Sequence, residues 1–166
     1  MIEGDKTECA IGEYNDKETQ LICFNCESGY ICNTTANVAH EKCPIGYECN
    51  DPTNPNLCPP GTNATQLGQT TCPLCDPGFN CENPTNPYEC SSGTYETENR
   101  TVCSDCQPGH YCLSGFQFEC HVGTYQNATA TARCDKCPKN RSCDGKALTN
   151  YMDCLPLRFS NEICLR

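Results

Sequence analysis

Tryptophan is absent from this 166-residue chain, and apolar side chains other than cysteine are scarce. Hydrophobic residues make up 37% of the sequence, but 20 of those residues are cysteines, which leaves only about a quarter of the chain for an oily core. A chain of this length normally buries enough apolar surface to fold unaided. Covalent cross-links must therefore replace much of the missing core.

Long apolar runs are missing as well. No stretch approaches the ~18 apolar residues of a membrane-spanning helix, and none shows the apolar periodicity of an amphipathic helix. The N-terminal sequence MIEGDKTEC lacks the apolar run of a secretory signal peptide. The sequence therefore predicts no membrane insertion, and it favours a mature chain or a piece of a longer one.

Positive charge is in short supply. Lysine and arginine number 11 against 21 acidic residues, which gives a net charge of −10 and a pI near 4.6. Nucleic acids and anionic membranes require clustered basic residues. The balance of charge therefore argues against both partners.

Cysteine is what the chain has in abundance. Twenty cysteines in 166 residues exceed the level typical of a disulfide scaffold, and their even number allows complete pairing. Disulfides persist in oxidising compartments, so we expect an extracellular or cell-surface protein in which every cysteine is paired. The predicted disulfide residues are Cys9, Cys23, Cys26, Cys32, Cys43, Cys49, Cys58, Cys72, Cys75, Cys81, Cys90, Cys103, Cys106, Cys112, Cys120, Cys134, Cys137, Cys143, Cys154 and Cys164.

The cysteines recur with a period of 31 residues, as at Cys72, Cys103 and Cys134. Each full repeat reads C-x2-G-T-[YN], then C-x2-C-x2-[GN]-x2-C. The glycines stand three residues after a cysteine, where glycine tolerates a positive φ, and Asn140 replaces glycine in the last copy. The pattern predicts a small disulfide-rich fold: an elongated rod of tandem cysteine-rich repeats with short β-hairpins and turns, little helix and no large hydrophobic core.

The spacing leaves two pairing schemes open. A local scheme joins neighbours, as in Cys58–Cys72 and Cys75–Cys81. An interleaved scheme, which we favour because it leaves no irregular piece unexplained, keeps Cys9–Cys23 and Cys58–Cys72 as single bridges. It further pairs Cys26–Cys43, Cys32–Cys49, Cys75–Cys90, Cys81–Cys103, Cys106–Cys120, Cys112–Cys134, Cys137–Cys154 and Cys143–Cys164.

The favoured scheme divides the chain into modules. They are an N-terminal tail 1–8, a single-bridge module 9–25, an interleaved module 26–57, a single-bridge module 58–74, cysteine-rich repeats 75–105 and 106–136, and a terminal repeat 137–166. One line is written twice, as CNDPTNPNLC from Cys49 and CENPTNPYEC from Cys81. We interpret it as a proline-stiffened junction between modules.

Catalytic and metal-binding patterns are weak. The four C-x2-C pairs could suggest zinc in a cytosolic protein, but an array with 20 cysteines and three scattered histidines favours disulfides and no enzyme. We expect no cofactor. The one alternative is calcium, for which the candidate ligands are Asp51 with Asn50, Asn54 and Asn56.

N-glycosylation is the strongest modification signal. Asn-X-Ser/Thr sequons predict N-linked glycans on exposed loops. They occur at Asn33, Asn63, Asn99, Asn127 and Asn140.

The motif C-x2-G-T-Y, followed by T-x-C-x2-C and C-x2-G-[YF], resembles Eph-receptor-like cysteine-rich repeats of extracellular proteins. The alternation of bridges is similar to cysteine-rich domains of tumour-necrosis-factor and growth-factor receptors. The resemblance covers Cys9 to Cys164, with departures at Asn63 and Asn140. It implies a style of fold, and it leaves function open because such repeats serve receptors, adhesins and coats alike.

These observations predict a non-enzymatic structural glycoprotein of a cell-surface stalk, coat or extracellular fibre that self-associates head to tail. The alternative is a receptor-like or adhesin ectodomain that binds a protein ligand. The segment GFQFEC, in which Phe116 and Phe118 interrupt the repeat, is the candidate ligand surface, although local packing explains it as well.

Overall fold

The computed structural model describes residues 8–16, 22–37 and 39–154. Within these ranges the chain forms two-stranded antiparallel sheets and no helix, so none of them holds a helix able to cross a membrane. The paired strands are β1 Glu13–Tyr14 with β2 Phe24–Asn25, β3 Tyr30–Ile31 with β4 Glu41–Lys42, β5 Tyr47–Glu48 with β6 Asn56–Leu57, β7 Phe79–Asn80 with β8 Tyr88–Glu89, β9 Thr94–Glu96 with β10 Cys103–Asp105, β11 His110–Leu113 with β12 Phe116–Glu119, β13 Thr124–Tyr125 with β14 Asp135–Lys136, and β15 Arg141–Ser142 with β16 Met152–Asp153.

A single antiparallel bridge between Thr62 and Leu74 completes a ninth hairpin. Every hairpin in the described ranges begins at a cysteine followed three residues later by glycine or, once, asparagine, and these starts lie 14 to 17 residues apart. The structural unit is therefore one hairpin, half of the 31-residue period. Hairpins 1 to 9 begin at Cys9, Cys26, Cys43, Cys58, Cys75, Cys90, Cys106, Cys120 and Cys137.

A tight turn opens each hairpin. In the turn of hairpin 2 the amide of Tyr30 donates to the carbonyl of Glu27, and Gly29 between them has a φ of 90°. A positive φ at the third residue is the requirement of a type II turn. The same bond recurs in all nine turns. The prediction of positive φ is confirmed at every turn glycine, and also at Asn140 with a φ of 63°.

The disulfides join consecutive cysteines. Two classes alternate irregularly: wide bridges that span 13 or 14 residues and narrow bridges that span 6. The wide bridges are Cys9–Cys23, Cys58–Cys72, Cys90–Cys103 and Cys120–Cys134. The narrow bridges are Cys26–Cys32, Cys43–Cys49, Cys75–Cys81, Cys106–Cys112 and Cys137–Cys143. Cys154 is also disulfide-bonded, and Cys164 lies outside the described residues.

The interleaved pairing is therefore wrong, except for Cys9–Cys23 and Cys58–Cys72, which both schemes share. The reason is the turn itself. The type II turn reverses the chain so that a cysteine and the residue six positions later approach to a Cα–Cα distance of 5.7 Å in Cys43–Cys49, within the range that a disulfide spans. The segment from Cys43 to Cys49, which looked truncated, is the start of an ordinary hairpin.

Sulfur takes the place of an apolar core. Of the 14 buried hydrophobic residues among those described, all except Ala64 are cysteines. Tyrosines such as Tyr14 and Tyr30 are half-buried on the first strands of their hairpins. The expectation of a small disulfide-rich fold without a large hydrophobic core is confirmed.

The chain divides into two compact units. Unit 1 comprises Met1–Cys75 and Cys81–Pro87, and unit 2 comprises Asp76–Asn80 and Tyr88–Arg166, so the division passes through hairpin 5. The rod shape and the module boundaries drawn from the sequence stay predictions.

Candidate functional site

Backbone hydrogen bonds link each hairpin to the next. The turn glycine of hairpin 1, Gly12, donates its amide to the carbonyl of Cys32 in hairpin 2 at 2.9 Å, and Gly29 does the same to Cys49 in hairpin 3 at 2.7 Å. The bond recurs along both units, with one exception at Gly78, whose amide meets the carboxylate Oε2 of Glu96 at 2.7 Å. The remaining pairs are Gly46 to Ala64, Gly61 to Cys81, Gly93 to Cys112, Gly109 to Gln126 and Gly123 to Cys143.

Six of these glycines also touch the hairpin after next: Gly12, Gly29, Gly46, Gly78, Gly93 and Gly109. A Cβ atom built on Gly29 would lie 2.6 Å from the carbonyl oxygen of Gly68 in hairpin 4. On Gly109 it would lie 2.3 Å from the carbonyl oxygen of Ala147 in hairpin 9. Real Cβ atoms essentially never approach so closely, so these turns require glycine for a neighbour's backbone as well as for their own φ. We call this pair of contacts the interlock.

The line written twice in the sequence forms part of the interlock. Each copy is the loop of a single hairpin, between β5 and β6 or between β7 and β8, so its interpretation as a junction between modules is wrong. Asp51 Oδ1 accepts hydrogen bonds from the amide and hydroxyl of Thr53 at 2.9 and 2.7 Å. Asn83 Oδ1 accepts the equivalent bonds from Thr85 at 3.1 and 2.8 Å.

The two threonines serve as contacts for earlier turns. The methyl carbon of Thr53 lies 3.2 Å from the position of a Cβ on Gly12, and that of Thr85 lies 2.7 Å from the position of a Cβ on Gly46. Each loop thus meets the glycine turn two hairpins back. The repetition is explained by one loop structure used twice for the same contact.

The pKa of Asp51 departs clearly from its ordinary value. The hydroxyl of Thr53, and then its amide, stabilise the carboxylate and lower the pKa of Asp51 below 3.8.

Among the described residues no group of three or more His, Cys, Asp or Glu could hold a metal ion. The eight cysteines of the C-x2-C pairs are all in disulfides, which leaves no thiolate there for zinc. Calcium at Asp51 with Asn50, Asn54 and Asn56 stays a prediction.

The five sequons differ in accessibility. Asn33, Asn99, Asn127 and Asn140 are exposed, whereas Asn63 is only 4% exposed and its Oδ1 is buried without a hydrogen-bond partner. The hydroxyl residue of the Asn140 sequon is Ser142, which is buried and donates a hydrogen bond to Asp144. Glycans at the five sites stay a prediction, and accessibility favours Asn33, Asn99 and Asn127.

The histidines do not form a catalytic group. His40 packs between Tyr14 and Tyr30, with ring centroids 4.2 Å from each. His110 Nδ1 lies 3.3 Å from the carbonyl oxygen of Pro108, and His121 belongs to the turn of hairpin 8, where its carbonyl accepts from Thr124. The three residues thus occupy hairpins 2, 7 and 8 with separate structural contacts.

Hairpin 7 departs from the other hairpins. Its strands β11 and β12 have four residues each, with Tyr111 opposite Phe118 and Leu113 opposite Phe116. Side chains alternate between the faces of a strand, so these four apolar residues share one face, which we call the aromatic face. Leu113 is 42% exposed, and Phe116 and Phe118 are each 44% exposed. The sequence singled out both phenylalanines, but not Leu113 or Tyr111.

Stacked disulfide hairpins with glycine turns define a class: an extracellular protein segment of tandem cysteine-rich repeats. No protein-family model matches the chain. The chain is 29% identical over 157 residues to mouse Signal peptide, CUB and EGF-like domain-containing protein 3. It is 32% identical over 174 residues to zebrafish Signal peptide, CUB and EGF-like domain-containing protein 2.

These alignments cover 90% and 97% of the chain, but only 15% and 16% of the two relatives. The chain thus spans about one sixth of the length of the relatives that it matches. The names of both relatives include a signal peptide, and the described part of the chain has nine disulfides. Both observations indicate that the chain is extracellular. The finer resemblance to Eph-receptor-like or tumour-necrosis-factor-receptor-like repeats stays a prediction.

Proposed function

We propose that the chain is a non-enzymatic structural segment of an extracellular glycoprotein, in a cell-surface stalk, coat or fibre. The observation that carries this proposal is the interlock. Six of the eight turn glycines contact both of the next two hairpins, so neighbouring hairpins are held by contacts of the turn backbone as well as by their own disulfides. Such an array resists local unfolding without a large apolar core.

Head-to-tail self-association is the finer part of this proposal. Repeat arrays use the same contacts between neighbours along the chain, and a heterologous contact between copies would extend them. The net charge of −10 opposes association at low salt. We therefore expect self-association to strengthen as salt screens the repulsion.

Sedimentation velocity over a hundredfold concentration range, at low and at physiological salt, tests this part of the proposal. The protein should be produced by a secretory host with its glycans mapped by mass spectrometry. Growth of the sedimentation coefficient with concentration, together with fibres in electron micrographs, is the expected result. A concentration-independent monomer at both salts would remove self-association and leave a spacer role, and bare asparagines at all sequons would remove the glycan part.

A receptor-like or adhesin ectodomain is the second candidate. It is favoured by the exposure of the aromatic face of hairpin 7, because apolar residues clustered on one exposed surface mark interaction sites more often than scattered ones do. The two candidates are compatible, since one unit can bear a binding surface on a structural array.

A further inference from the structure

Hairpin 7 presents an apolar surface that the fold covers only in part. Tyr111 and Phe118 stack with ring centroids 5.3 Å apart and planes inclined by 26°. Leu113 and Phe116 form the next cross-strand pair, and Leu113, Phe116 and Phe118 all remain exposed. The pairing of the rings fixes the shape of the surface before any partner arrives.

The opposite face of the hairpin accounts for its position in the array. Cys112 is fully buried there in the bridge to Cys106, and Gln117, its cross-strand partner, places its Nε2 out of contact with solvent. The hairpin is thus anchored through one face. The outward direction of the aromatic face follows from that anchoring and from strand alternation.

The stretch of chain around hairpin 7 is strongly acidic. From residue 43 to residue 132 the chain has nine acidic residues and one basic residue, Arg100. Arg100 forms an ion pair with Glu96 at 3.9 Å. Five acidic residues of unit 2 lie exposed in hairpins 5 to 7: Asp76, Glu89, Glu98, Asp105 and Glu119. Of these, Glu119 pairs with His110 and lies on the face of hairpin 7 opposite the aromatic face.

We propose that the aromatic face of hairpin 7 docks a segment of another protein that presents aromatic or aliphatic side chains flanked by lysine or arginine. The apolar residues supply the contact area, since each aromatic ring buries ~150–250 Å². The excess of acidic over basic residues in hairpins 5 to 7 favours a basic partner and accelerates the encounter. A second copy of this chain would bring like charges together, so it is the disfavoured occupant.

This inference rests on the second function proposed above, protein binding. It is tested with a random library of 12-residue peptides displayed on phage and selected against the intact disulfide-bonded protein. Selected peptides are then synthesised and their dissociation constants measured. We expect peptides rich in aromatic or aliphatic residues and in lysine or arginine. Replacing their basic residues by glutamine, or raising salt from 50 to 500 mM, should weaken binding at least about tenfold because the attraction is screened.

Two variants locate the site. F116T/F118T removes both phenylalanines while keeping residues suited to strands, and it should weaken binding at least about tenfold. Phe116 also lies 3.5 Å from the position of a Cβ on Gly78, so L113T/F118T provides a second variant that leaves this contact in place. The control L57T/L74T changes two exposed leucines of unit 1 and should leave binding unchanged.

Disulfide mapping and proton NMR spectra establish that each variant folds. Peptides that bind the wild type and both hairpin 7 variants equally would overturn this site and leave protein binding intact. Recovery of no binding peptide would overturn both. Acidic peptides, or dimerisation that only the hairpin 7 variants abolish, would show that the proposed occupant is wrong.

Discussion

At the scale of the residue, the turn glycines perform two tasks that a sequence shows as one. Their positive φ follows from spacing and turn chemistry, and the sequence predicted it, including at Asn140. Their contacts with the hairpin after next depend on packing between residues far apart in sequence, such as Gly109 and Ala147, which are 38 positions apart. The burial of Asn63, where the other hairpins with wide bridges place a tyrosine, likewise depends on such contacts and was missed.

Matched alanine substitutions separate the two tasks. Gly109 and Gly123 have φ values of 82° and 85°, but a Cβ on Gly109 would meet Ala147 at 2.3 Å, whereas one on Gly123 has no described atom within 4 Å. We expect Gly123→Ala to cost only the backbone term of about 1–2 kcal/mol. Gly109→Ala should cost roughly 1–3 kcal/mol more because the neighbouring backbone must move.

Hydrogen exchange provides the local measurement. The amide of Cys120 donates to Gly109, and that of Cys137 donates to Gly123, each at 2.9 Å. The loss of protection at Cys120 in the first variant should exceed that at Cys137 in the second. Equal losses would show that the close approach has no energetic weight.

The loops of hairpins 3 and 5 have the same hydrogen bonds, but only the first contains a titratable acceptor, Asp51. Thr53→Val removes the shorter bond to Asp51, so the pKa of Asp51 should rise towards 3.8. A lowered carboxyl pKa contributes stability above the unfolded value, and that contribution is lost as pH falls through the folded pKa. Carbon-13 NMR of the Asp51 carboxyl group measures it. Thr85→Val is the control, since Asn83 does not titrate, and an unchanged Asp51 pKa in Thr53→Val would contradict this account.

At the scale of the element, spacing predicted hairpins and misassigned their cross-links. The local signal was present: a cysteine three residues before glycine recurs every 14 to 17 residues, which makes Cys43 to Cys49 an ordinary start. The 31-residue period concealed it because wide and narrow bridges mostly alternate. Which sulfurs meet depends on how the turn folds the chain back, and cysteine order alone leaves that open.

The two classes of bridge should differ in their rate of reduction. Each wide bridge joins a buried cysteine to a half-buried one, whereas most narrow bridges are buried at both ends. Attack on a disulfide requires access to a sulfur. Limited reduction followed by alkylation and mass spectrometry should therefore open the wide bridges first.

Cys26–Cys32 is the internal control for this prediction. It is narrow, yet Cys26 is half-buried, so accessibility predicts early reduction whereas loop length predicts late reduction. If Cys26–Cys32 opens with Cys43–Cys49, loop length and not accessibility sets the order.

At the scale of the whole molecule, the chain is strongly acidic and divides into two compact units. The division passes through hairpin 5, whose bridge Cys75–Cys81 and following loop belong to unit 1 and whose strands belong to unit 2. Nothing in the sequence marks this division, because hairpin 5 has the same turn, narrow bridge and loop as hairpin 3. The division follows from the distribution of contacts within the fold, and amino-acid composition does not reveal it.

Native-state hydrogen exchange should reveal the two units. We expect amides to group into two sets of opening free energies, because each unit has its own contact network. The amide of Asn86, which donates to Asn83, should open with unit 1. The amide of Cys90, which donates to Gly78, should open with unit 2. A single set of opening free energies, or the reverse grouping of these two amides, would contradict the division.

The pairing of consecutive cysteines has a consequence for how the chain is made. In each of the nine described bridges, the partner of a cysteine is the next cysteine to leave the ribosome. If each cysteine is oxidised with the next one synthesised, the native disulfides form. No cysteine has to stay reduced until a distant partner has been synthesised. Such local closure favours rapid folding of each hairpin and avoids the slow reshuffling that interleaved pairs impose. Adding further hairpins of this kind would therefore lengthen the chain without making correct disulfide formation more difficult.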